Sequence, residues 1–201
     1  MVGERSGQTG FVYCEPHHWW FGYAHWAKTT TTKDTKGAKV IDHPMVGKLG
    51  PNAIDLSPEE FRGLLKGRRG AIKTFLLDQD RMAGIGNVYV QTPLWRAKIH
   101  PLRPIPSLSD EEIAALWQAL RAVLQGSIDA GGAPFELNLS GQKGGWDDLY
   151  LFHWEEGAPC QVCGTPLAKI RTGSTGSYIC LGCQPSSAIG GQRLEPPGRL
   201  G

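Results

Sequence analysis

Residues 160–184 read Cys160-Gln-Val-Cys163-Gly-Thr-Pro-Leu-Ala-Lys-Ile-Arg-Thr-Gly-Ser-Thr-Gly-Ser-Tyr-Ile-Cys180-Leu-Gly-Cys183-Gln184. Two Cys-x-x-Cys pairs separated by sixteen residues are ligand spacing for a four-thiolate zinc site. Each pair puts two sulfurs on one tight turn, and zinc takes four sulfurs tetrahedrally at about 2.3 Å. The intervening chain must bring the second turn back to the first, as a β-hairpin does. Leu167-Ala-Lys-Ile-Arg171 and Ser177-Tyr-Ile-Cys180 are the expected strands, with Thr172-Gly-Ser-Thr-Gly176 as the turn. Two disulfides are the competing reading; the absence of a signal-like start favours metal. With Cys160, Cys163, Cys180 and Cys183 all ligating one zinc ion, the site is closed and structural.

The hydrophobic share of 40% supports a core, and no run of eighteen apolar residues predicts a membrane helix. Met1-Val-Gly-Glu-Arg-Ser is not followed by an apolar signal segment, so an intracellular, cytoplasmic protein is expected. Cys14 is left outside the zinc set and reads as a buried thiol. The net charge of +2 is unevenly spread. Residues 61–104 hold nine Lys/Arg against Asp78 and Asp80, whereas residues 129–156 hold six acids against Lys143. Basic blocks on either side of an acidic connector fit a polyanion gripped at two places; a solvated face is the plainer alternative.

The helical grammar lies between residues 41 and 150. Ser57-Pro-Glu-Glu60 is a capping box with proline at the first helical position, and Leu56 and Phe61 stand as its staple. Lys66-Gly67 ends that helix, and a short one is expected over residues 71–77. Gly84-Ile-Gly-Asn87 lets the backbone approach a ligand closely, with Asn87 capping a helix that runs toward Lys98 and kinks at Pro93. An exposed helix start there would hold an anion. Ser109-Asp-Glu-Glu112 repeats the box, and Ile113, Leu116, Leu120, Val123 and Leu124 form one apolar stripe. Gly131-Gly132 closes it. At the N-terminal side, residues 11–26 alternate as a strand and 29–39 read as a linker; residues 185–201 read as a disordered tail. His17, His18 and His25 fit no defensible metal spacing.

Four stretches together resemble the formamidopyrimidine-DNA glycosylase/endonuclease VIII family. They are Ile72-Lys-Thr-Phe-Leu-Leu-Asp-Gln79, Gly84-Ile-Gly-Asn87, Arg96-Ala-Lys-Ile-His-Pro101 and the cysteine segment, in the family's order over residues 42–184. The resemblance implies a mainly α protein with a small β zinc hairpin: a helix–two-turn–helix DNA-binding domain at 41–150 and a zinc finger at 151–184. A remnant of a β-rich N-terminal domain would precede them at 1–40. It implies a monomer that binds double-stranded DNA with a damaged base or abasic site in base excision repair. Asn87 would bind backbone phosphate beside the lesion, with Lys73, Gly84, Gly86 and Arg171 as further DNA contacts.

Three departures qualify the resemblance. Family members begin, after Met removal, with Pro-Glu, whose proline amine attacks the sugar and forms a Schiff base. Here the start is Met1-Val2-Gly3 and Pro16 is internal, so a non-catalytic chain is expected, with no catalytic residue assigned. Thr175 stands where many members carry a hairpin arginine, and Thr92 where a carboxylate is common. Lys73 is expected to be exposed and charged, and hence no substitute nucleophile. A zinc-ribbon module that binds protein, or a rubredoxin-like iron site, are the readings from other functional classes.

Overall fold

The computed structural model describes residues 48–135, 137, 141–147 and 155–185. The expectations for Cys14, the histidines at 17, 18 and 25, the strand at 11–26, the linker and the tail beyond 185 lie outside the described residues. Among the described residues, four α-helices precede a two-stranded antiparallel sheet: α1 (Pro58–Leu65), α2 (Ile72–Leu76), α3 (Gln91–Arg96), α4 (Asp110–Asp129), β1 (Leu167–Thr172) and β2 (Thr175–Cys180).

Both capping boxes form. Ser57 Oγ accepts from Glu60 N at 3.2 Å while Glu60 Oε2 accepts from Ser57 N at 2.8 Å, so α1 starts where its exposed amides find acceptors. Ser109 and Glu112 repeat this at α4, and Arg103 grips both oxygens of Glu112 at 3.0 and 3.2 Å. The staple residues Leu56 and Phe61 are buried in the main core with Leu65, Ile72, Leu76, Met82, Ile85, Leu94, Ile99, Leu116 and Leu120. A second cluster, Val88, Tyr89, Val123 and Trp146, fixes the segment before α3 against α4; the Tyr89 and Trp146 rings stack at 5.2 Å. Burial of such side chains, about 1.5–3 kcal/mol each, is what holds helices this short.

Two expectations change. The helix after residue 87 is shorter than its pattern suggests: α3 starts at Gln91, its cap position is Val90, and Asn87 makes no capping bond. Pro93 therefore falls in the first turn, where its missing amide breaks no helical hydrogen bond. The six-residue helix starts four residues past Asn87, so its first amides are not those of the 84–87 turn. In the hairpin, Thr172 pairs directly with Thr175, so the turn is only Gly173-Ser174, with Gly173 at φ +60.

Candidate metal centre and nucleic-acid interface

Gly164 turns the first Cys-x-x-Cys with φ +72, and its amide donates to Cys160 O at 2.7 Å. The second turn closes with Gln184 N donating to Cys180 O at 2.7 Å. These turns bring all four sulfurs within 4.8 Å of one another, and none is in a disulfide. Cys160–Cys183, Cys163–Cys183 and Cys163–Cys180 stand 3.9, 3.6 and 3.3 Å apart. Four sulfurs on a tetrahedral centre at zinc distance would stand about 3.8 Å apart. The donor set and spacing therefore fit the expected ion. A Cβ on Gly182 would lie 2.6 Å from Thr165 Oγ1 and 3.1 Å from Cys163 Sγ, so a side chain there would have to displace the Thr165 hydroxyl and crowd the Cys163 sulfur.

The electrostatics agree with a cation-seeking site. The hydrogen bond to the Thr165 hydroxyl, with further donors, pulls the Cys163 thiol down to about 6. Burial and the neighbouring sulfurs push Cys183 up to about 12. Thiols this close cannot all ionise alone; a divalent ion removes that conflict.

A two-stranded hairpin is marginal by itself, and its open edge carries unpaired backbone groups. With Thr172 opposite Thr175, the backbone groups of Gly176, Tyr178 and Cys180 face away from β1. Three buried side chains meet them. Lys73 Nζ donates to Gly176 O at 2.9 Å, Gln91 Oε1 accepts from Tyr178 N at 2.8 Å, and Gln184 Oε1 accepts from Cys180 N at 3.2 Å. The other ends of the two glutamines are tied too. Gln91 Nε2 donates to Asn87 O at 3.0 Å, and Gln184 Nε2 donates to Ile99 O at 2.8 Å. No water fits in the space between Lys73, Gln91, Tyr178 and Gln184.

Lys73 is thus not the exposed lysine expected. It is 0% accessible, and besides Gly176 O its Nζ meets Thr172 Oγ1 and Thr175 Oγ1 at 3.1 Å and Ser177 Oγ at 2.6 Å. Burial pushes its amine down to about 7. The four oxygens serve either protonation state, since an ammonium donates three hydrogens and a neutral amine can also accept a hydroxyl proton.

The 84–87 turn is held from behind. Gln79 Oε1 accepts from Gly84 N at 3.0 Å, and Gln79 Nε2 donates to Ile85 O at 2.9 Å. Gly84 has φ +98, which only glycine adopts without strain. Asn87 turns its Oδ1 into the protein, buried and without a partner. His100 Nδ1 accepts from Leu102 N at 3.2 Å, and burial pushes this imidazole down to about 4, so it acts as a neutral brace. Arg171 is exposed beside the hairpin turn, its Nε bonded to Gly173 O at 3.2 Å.

The structure therefore draws Lys73, the 84–87 turn and the hairpin into one docked assembly, with the cysteines at the hairpin's base. Gln79, Gln91 and Gln184 were missed by sequence reasoning because a glutamine carries no signal until its distant partner is known. The basic block also loses weight: Lys73 is buried, and Arg62, Arg81 and Arg103 pair with Asp110, Asp78 and Glu112 at 3.1, 2.9 and 3.0 Å.

Residues 49–138 match the formamidopyrimidine-DNA glycosylase H2TH domain. A formamidopyrimidine-DNA glycosylase of Roseiflexus sp. (strain RS-1) is 42% identical over 128 residues, 63% of this chain and 47% of that protein. One from Enterococcus faecalis is 39% identical over 137 residues, 67% of this chain and 48% of that protein. The MutM (Fpg) structure from Thermus thermophilus superposes with TM-score 0.62 at 35% identity, covering 70% of this chain and 55% of that one. The Lactococcus lactis Fpg complex with DNA containing an abasic site gives 0.63 at 31%, covering 70% and 53%. The chain spans about half the length of the relatives it matches. By its helical part and cysteine hairpin, with this order of motifs and this backbone, the chain belongs to the formamidopyrimidine-DNA glycosylase family.

Proposed function

We propose that the described part of this chain grips duplex DNA carrying a damaged base or an abasic site, as a DNA-binding unit of base excision repair. The 84–87 turn and the hairpin turn would each hold backbone phosphate. Asn87 would donate from its amide nitrogen, the half of the side chain opposite the buried Oδ1. The backbone of Gly84 and Gly86 would allow close approach, and Arg171 would add charge from the hairpin. Zinc would act structurally, holding the hairpin's base. Lys73 would serve by docking the hairpin rather than by touching phosphate, because its amine is spent on four protein oxygens. The same engagement argues against Lys73 as a Schiff-base nucleophile, which needs a free amine aimed at the sugar.

The observation that carries this reading is the docked edge of β2. It makes the 84–87 turn and the hairpin parts of one piece, as a two-point grip on a single backbone requires. Titrating a fluorescent duplex with one abasic-site analogue, against its undamaged twin at several salt concentrations, tests it. The expected outcome is tighter binding to the abasic duplex, with log K falling linearly against log salt. A chain that binds neither duplex, while loaded with zinc and folded, would instead fit a protein-interaction module.

A further inference from the structure

We propose that Gln91 is a positioning residue that fixes the spacing between the 84–87 turn and the zinc hairpin, so that the two engage DNA as one rigid unit. This rests on the DNA-binding reading above. Gln91 is the first residue of α3 and only 4% accessible. Its side-chain amide is used at both ends, donating to Asn87 O at 3.0 Å and accepting from Tyr178 N at 2.8 Å, across 87 residues of sequence. Both partners are main-chain groups, so the bracket pins backbone to backbone. Lys73 and Gln184 hold the same edge of β2, but their other attachments lie in α2 and at Ile99, not in the turn. Gln91 thus supplies a direct side-chain bracket between turn and strand.

Rigidity matters because two contacts on one piece make the second contact intramolecular. Its effective concentration falls when the link between them loosens. Gln91→Met keeps the length of the side chain and removes both bonds. Gln91→Glu keeps an acceptor for Tyr178 N but cannot donate to Asn87 O. Neither position of the bracket touches a cysteine ligand, so zinc content should hold at the wild-type value in both.

The experiment measures affinity for the abasic-analogue duplex in two backgrounds, wild type and Arg171→Ala, on zinc-loaded protein. Gln91→Met should weaken binding at least about tenfold in the wild-type background. It should weaken binding less than about twofold in the Arg171→Ala background, where the hairpin grip is already lost. Hydrogen exchange at the Tyr178 amide should accelerate in Gln91→Met and stay slow in Gln91→Glu. If Gln91→Met loses zinc, Gln91→Glu is read in the same two backgrounds, with the same pattern expected. Equal losses in both backgrounds would overturn the positioning role while leaving the DNA reading intact. No binding by wild type would overturn the DNA reading and this role with it.

Discussion

Lys73 packs a long amine against three hydroxyls and a carbonyl, and no carboxylate is among its hydrogen-bond partners. Removing a cation from water without a counter-charge favours the neutral form, which is why its amine sits at about 7. An unfolded lysine titrates near 10.4, so between these values the unfolded chain binds more protons than the folded one. Stability must then rise with pH through that window, by up to about 1.4 kcal/mol per unit, and the penalty is fully present below about 7. Urea unfolding of wild type and Lys73→Met between pH 6.5 and 9.5 checks this. The difference in stability between the two proteins should shift in favour of wild type as pH rises. A difference independent of pH would mean that the amine keeps its proton when folded.

At the scale of elements, the hairpin depends on its two ends. The four-cysteine turns, with the zinc proposed there, would hold the base, and the docked edge holds β2 against α3. Each strand has six residues, too few for a core of its own, so an ion bound by the four cysteines would add its binding free energy to folding. Gly182→Ala should be costly in a specific way. Overpacking of about 1–3 kcal/mol against Thr165 and Cys163 would cut zinc affinity by roughly fivefold to a hundredfold. Competition with a colorimetric chelator reads that loss, and hydrogen exchange should show β1 and β2 opening while α4 stays protected. Zinc retention equal to wild type would show that the two turns can move apart without losing the site.

These two ends also differ in how far the sequence reveals them. The four cysteines and both capping boxes were legible, because their chemistry lies in spacings of three residues. The length of α3 was not, since its apolar pattern continues upstream while Val88 and Tyr89 are held by α4 instead. The docking of the hairpin was illegible too. Lys73, Gln91 and Gln184 find partners 85 to 104 residues away, and nothing local distinguishes them from surface residues. The burial of Lys73 reversed the expectation of an exposed cation for the same reason.

On the whole molecule, charge and shape part company. The exposed end of the basic block, Lys66, Arg68 and Arg69, lines an open groove of about 870 Å³ between α1 and the start of α4. The turn and hairpin proposed to hold DNA are instead joined through α3 and β2, and Lys169 and Arg171 are the charged residues between them. Affinity should therefore depend on placed donors and docking more than on overall charge, as expected where contacts to phosphate set register. The direct measurement is an amide map: ¹H–¹⁵N spectra of the zinc-loaded chain, with and without a duplex carrying an abasic-site analogue. The largest shifts should fall at residues 84–87 and 171–176, appearing together at one stoichiometric point. Shifts centred on Lys66, Arg68 and Arg69, with the 84–87 turn and the hairpin unmoved, would contradict the two-point grip.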